Sequence, residues 1–165
     1  MRAVHPEGPS PDPAVYPLTL YFDGACPICH GEMHNLMLRN EAGLLRFVDI
    51  STPGFSEVPP GTDLRALMDL MHARRADGRL AIGAEAIRLA YRGARLDGLA
   101  RVMDLPLLRT FCDRAYPVLA RNRYRIPRPV VRLVFETALR RAAERRAGRS
   151  PCRDGACDLP SPRQE

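Results

Sequence analysis

The chain has 165 residues, 45% of them hydrophobic, which suits one domain with a core of its own and no need of disulfides or metal to fold. Its 25 basic residues are all Arg and leave a formal charge of +6, yet no stripe of Arg interleaved with aromatics exists, so nucleic acid is not expected as a partner. No apolar run has the length of a signal peptide or a bilayer span, which predicts a cytoplasmic protein; five Cys in that compartment point to redox or metal chemistry rather than a structural framework.

Residues 1–14 are Pro-rich and polar and read as a disordered lead-in. Residues 15–22, VYPLTLYF, have the β-branched, aromatic and uncharged character of a strand buried on both faces. Asp23-Gly24-Ala25 ends the run as a tight turn. Pro27 then suits the first position of a helix over 27–39, because its ring fixes φ where no N–H is needed, and Cys26 becomes the N-cap. Cys29, Met33, Leu36 and Met37 share one face of that helix, the spacing of a core-facing stripe. A second strand over 44–50 is expected to return parallel to the first through this crossover. A Pro- and Gly-rich loop over 51–61 leads to a short helix over 64–67, capped by Thr62 or Asp63. Residues 70–75 and 79–82 flank Ala76-Asp77-Gly78 as a hairpin, and a helix over 84–91 follows. The order β-α-β-α-β-β-α is that of a thioredoxin-like domain.

From residue 93 the pattern turns wholly helical, with segments over 97–103, 107–124 (bent or broken at Pro117) and 129–147. The sequence therefore reads as α/β, a thioredoxin-like fold over 15–92 with an all-helical C-terminal extension over 93–149 and a Cys-containing tail over 150–165.

Thiol–disulfide exchange needs a thiolate at neutral pH and a second thiol close enough to resolve the mixed disulfide. Cys26 and Cys29, three apart in the first turn of a helix, meet the second demand. The N-cap position meets the first, since the N–H groups of Ile28 and Cys29 and the positive helix end lower a thiol pKa. Cys26 is assigned as the exposed nucleophile and Cys29 as the buried resolving thiol. Asp23 has two readings of equal weight: acceptor of the Cys29 proton, and turn residue whose carboxylate bonds nearby N–H groups. The carrier is the redox-active disulfide itself, with no further cofactor, and the partner is a protein or small-molecule thiol or disulfide.

Three rival readings use the same residues. Cys26-Pro27-Ile28-Cys29-His30 spells the attachment motif of a c-type haem, for which no export signal is visible. Cys26, Cys29, His30 and His34 offer a zinc set, but Cys29 and His30 are adjacent and point different ways around a helix. A glutathione-using enzyme also carries Cys-Pro-x-Cys, but Pro59 and Pro60 lie well before residue 70, where a Pro facing the pair is expected.

The segment Asp23-Gly24-Ala25-Cys26-Pro27-Ile28-Cys29, after an apolar strand, resembles the D-G-x-C-x-x-C signature of the DCC family of thiol–disulfide oxidoreductases. The hairpin from Met71 to Arg79, the run Gly83-Ala84-Glu85-Ala86, the residues Tyr116, Ala120, Asn122, Arg123 and Tyr124, and the ending Cys157-Asp158-Leu159-Pro160 resemble further parts of that family in order, from about residue 18 to 162. The resemblance implies a thioredoxin-like fold and protein-disulfide oxidoreductase activity but no particular substrate; Pro117 and Cys152 depart from it.

Cys112 reads as inert core packing. Cys152 and Cys157 read either as a relay to the active pair or as idle thiols. Residues 128–149 carry seven Arg and two Glu with Val130, Val131, Val134, Phe135, Ala138 and Ala142 along one side. Packing of this basic stripe on its own domain is favoured over an anionic membrane surface. Arg123 is placed near the active pair, with Asn122 and Tyr124 anchoring the extension.

Overall fold

Leu18, Leu20 and Phe22 point to one side of a strand and Thr19 and Tyr21 to the other, and all five are buried. In the computed structural model, which describes residues 11–127, 129–130, 152–153 and 156–157, this strand is the centre of the molecule. It is β1 (Leu18–Phe22), and it pairs in parallel with β2 (Leu45–Asp49), Leu18 opposite Leu45 and Phe22 opposite Asp49. On its other edge it runs antiparallel to β3 (His72–Arg74), which pairs with β4 (Leu80–Ile82) in a sheet of order β2-β1-β3-β4. The mixed α/β sheet agrees with the order expected of a thioredoxin-like domain.

One face of the sheet packs Leu18, Leu20 and Phe22 against Met33 and Leu36 of α1 (Pro27–Arg39) and against Ala86 and Ala90 of α3 (Ala84–Gly93). The small side chains of α3 let its backbone approach the strands closely. The other face packs Tyr21 with Ile50 and Leu67, the last from α2 (Leu64–Asp69). Asp63 caps α2, its carboxylate accepting the Ala66 N–H at 2.8 Å. The β3–β4 hairpin turns at Gly78, whose φ of +86° suits glycine, while the Asp77 carboxylate accepts the Arg79 N–H at 3.1 Å.

Met37 does not join the core face of α1. It is 39% exposed, because the centre of that face lies between Met33 and Leu36 and Met37 falls at its rim. Beyond the sheet come α4 (Asp97–Asp104) and α5 (Pro106–Asn122), separated where Leu105 takes the extended backbone that a following Pro imposes. α5 runs through Pro117 without a break: the ring removes one N–H donor from a ladder of many. The last turn tightens into a 3-10 segment, Arg123–Arg125. Arg88 of α3, buried, ties both helices to the domain by pairing with Asp113 at 2.8 Å and Asp104 at 3.5 Å.

Of the helix expected over 129–147, only Pro129 and Val130 lie among the described residues; the rest lies outside them. In the tail two short strands, β5 (Cys152–Arg153) and β6 (Ala156–Cys157), pair antiparallel with Cys152 opposite Cys157. Among the described residues no helix is long and apolar enough to cross a membrane.

Candidate active site

β1 delivers Asp23 and α1 begins four residues later, so the Cys pair sits where the central strand becomes a helix. Cys26 is the N-cap with extended backbone (φ −81°, ψ 119°), and the His30 N–H donates to its carbonyl at 2.9 Å to open the helix. Its sulfur makes no formed cap hydrogen bond, yet a hydrogen bond from Cys29, the amides of Cys29 and Ile28 and the charge of Arg123 favour its ionised form against the opposing effect of burial. The thiol is lowered to about 6. The same hydrogen bond from the other side, with burial and the charge on Cys26, pushes Cys29 well up. Loss of a proton is thus favoured at Cys26 and opposed at Cys29.

The exposures are the reverse of those expected. Cys26 is 0% exposed, whereas Cys29 is partly accessible and lines a cavity. A helix N-terminus taken alone is open to water. Here the chain returns after α5 and seats Arg123 and Tyr124 on Asp23, three residues before Cys26.

Asp23 holds this return in place. It is 2% exposed; its Oδ1 accepts the Ala25 N–H at 3.0 Å, as the turn reading expects. Its Oδ2 accepts from the Arg123 guanidinium at 3.0 Å and from the Tyr124 hydroxyl. Arg123, itself 9% exposed, also donates to the Met68 carbonyl at 2.5 Å, and its Nε is buried with no acceptor. The expected place of Arg123 near the pair is thus found.

Asp49 was not singled out from the sequence. It ends β2 beside Phe22, so the parallel register carries its carboxylate to the Asp23-Gly24 turn. There it accepts from the Gly24 N–H at 3.0 Å, the Ser51 N–H at 2.9 Å and the Ser51 hydroxyl at 2.6 Å. Burial opposes its charge, but these donors hold its carboxyl below the usual range. A carboxylate closing the second strand of a βαβ unit was the available signal. Gly24 is small because Asp49 sits against it: a Cβ there falls 2.0 Å from Oδ2. Gly24→Ala should therefore expel the carboxylate from its donors and lower stability by about 1–3 kcal/mol, read as a shifted urea midpoint.

Cys112 is not core packing. It lies on α5, partly exposed, in the wall of the same cavity as Cys29. This cavity has a volume of about 330 Å³, with Met33, Met71, Ile87 and Phe111 among its apolar walls. Glu32 reaches it from α1 with Oε1 buried and unpartnered; burial pushes its carboxyl up while the Tyr91 hydroxyl, in hydrogen-bond contact, lowers it. Tyr116 of α5 packs its ring on Gly83, where φ is +64° and a Cβ would meet the ring at 3.2 Å. Burial, then the charge of Cys29, pushes the Tyr116 hydroxyl up.

His30 and His34 are exposed, their rings 6.2 Å apart in a tilted contact. Among the described residues no three His, Cys, Asp or Glu side chains converge as metal ligands, so the zinc reading finds no complete set. No Pro precedes β3, and the cis peptide among the described residues is Tyr16–Pro17, before β1.

A mixed sheet with a Cys-x-x-Cys pair at the strand-to-helix junction of its central βαβ unit defines a thiol–disulfide oxidoreductase class. The chain belongs to the DCC1-like thiol-disulfide oxidoreductase family, whose model matches residues 20–129. It is also 33% identical over 129 residues to an uncharacterized chloroplastic protein of Arabidopsis thaliana, covering 76% of this chain and 60% of that protein's length. No solved structure matches the chain.

Proposed function

We propose that the chain is a protein-disulfide oxidoreductase in which Cys26 attacks, Cys29 resolves and Asp23 receives the proton of Cys29. In the reductive direction the Cys26 thiolate attacks one sulfur of a substrate disulfide, and the other sulfur leaves as a thiolate that takes a proton from water. Cys29 then gives its proton to Asp23 and its sulfur attacks Cys26. The second substrate thiolate is released, and the Cys26–Cys29 disulfide carries the two oxidising equivalents until an external thiol reductant removes them.

The observation that supports this reading most is the placement of Cys26 at the N-cap of α1 with Cys29 in its first turn, a position that favours charge on the N-cap sulfur. The charge of Asp23 opposes ionisation of Cys29, so the carboxylate and the thiol proton are electrostatically linked. Because Cys26 is buried, a substrate disulfide reaches it only after a local rearrangement.

Cys29→Ser removes the resolving thiol and should accumulate a stable mixed disulfide on Cys26, detected by mass spectrometry after incubation with a peptide disulfide. Cys26→Ser should accumulate none. Adducts on Cys29 in the second variant, and none in the first, would exchange the two roles.

A further inference from the structure

Resting on that exchange chemistry, the geometry points to the cavity beside Cys29 as the binding site of a polypeptide substrate, one whose disulfide-bonded Cys is flanked by a large apolar side chain. The first ground is composition. About 330 Å³ lies at the small end of ligand pockets (~300–1,000 Å³) and suits one large side chain with its adjoining backbone. Its walls are mostly apolar, and among the described residues no Arg, Lys or His lines it. Glutathione, a tripeptide with two carboxylates, finds no cation there among the described residues.

The second ground is what continues from the cavity mouth. Leu108, Phe111, Ala115 and Leu119 recur at helical spacing along α5, and Leu107 and Val118 flank them. Leu107 is 88% and Phe111 66% exposed, so the apolar surface runs on well past the space a small thiol fills. An extended polypeptide uses both: one side chain in the cavity, its neighbours along α5. The third ground is Oε1 of Glu32, a buried acceptor without a hydrogen-bond partner among the described residues, in a mostly apolar wall that also holds Tyr91, Tyr116 and two Cys. A bound backbone N–H supplies the donor it lacks. Cys29 lies in the same wall, so the cavity opens one helical turn from Cys26.

The test compares two synthetic peptide disulfides of equal length with the full-length reduced protein. In one, Phe flanks the Cys; in the other, Ser does. A third disulfide, 2-hydroxyethyl disulfide, reports the exchange chemistry alone. The Phe peptide should have a kcat/KM about tenfold or more above the Ser peptide. Ala115→Phe, which fills the cavity from α5, should bring the two peptides towards parity through KM, and Phe111→Ala should narrow the ratio without adding bulk. Equal rates for the two peptides in the wild type, with 2-hydroxyethyl disulfide still turned over, overturn the cavity assignment and leave the exchange reading standing. That is also the outcome if residues 131–149 of the chain cover the stripe. A ratio unmoved in both variants overturns it as well. No reaction with any of the three disulfides is instead the failure of the exchange reading.

Discussion

Asp23→Ala is expected to destabilise the protein by about 3–5 kcal/mol, the range for breaking a buried ion pair from one side. The carboxylate is buried and accepts from Arg123, Tyr124 and the Ala25 amide. Removing it leaves the Arg123 guanidinium out of water with the Met68 carbonyl as its remaining hydrogen-bonded partner. Arg123→Met produces the mirror defect, a buried anion held by the Tyr124 hydroxyl and one amide. Replacing both should cost much less than the sum of the single changes, since a pair of apolar side chains strands no charge. Urea unfolding of the four proteins, with the slope held constant, gives the coupling directly. Single-variant losses below about 1 kcal/mol would mean that water reaches the pair in solution, as at an exposed salt bridge.

The second large effect is on the thiolate. Titrated by its ultraviolet absorbance, Cys26 in the reduced protein should ionise with a midpoint near pH 6, against about 9 for the unperturbed thiol. Arg123→Met should move that midpoint upward, because it deletes a cation that favours the charge. Cys29→Ser and Cys29→Ala separate the largest contribution: Ser keeps a hydrogen-bond donor and should hold much of the shift, whereas Ala should lose it. The depressed value also makes stability depend on pH. Between about 6 and 9 the folded state has released a proton that the unfolded chain still binds, so the reduced protein gains stability as pH rises through that window and loses it as pH falls through 6. Above 9 the direction reverses, because the unfolded chain ionises Cys29 while the fold holds its proton. The oxidised protein has neither titration. Denaturation of both redox forms across this range should show the pH dependence confined to the dithiol; a flat dithiol profile would remove the case for an activated Cys26.

Much of this site was legible along the chain because its determinants are local. An apolar run ending in Asp-Gly, with Pro one residue after Cys26, sets a strand, a turn and a helix start within a dozen residues. Proximity of the two sulfurs follows from helical geometry alone. The order of elements through residue 93 was likewise readable, since each is marked by its own periodicity and its own breakers.

Tertiary structure decided the rest, and each instance joins residues far apart in sequence. Asp49 meets Gly24 only because two parallel strands end at the same level. Arg123 and Tyr124 reach Asp23 across about a hundred positions, and the sulfur of Cys26, which a lone helix end leaves open, is buried in the fold. Cys112 belongs to a cavity wall rather than a core because α5 stands off α1, leaving space beside Cys29. The sequence by itself determined that the Cys pair stands at a strand-to-helix junction with Cys26 at the helix end, for that follows from backbone geometry over one turn. Their accessibility, their counter-charge and the apolar surface beside them depend on which distant side chains the packing brings within a few ångströms, a property that no local pattern encodes.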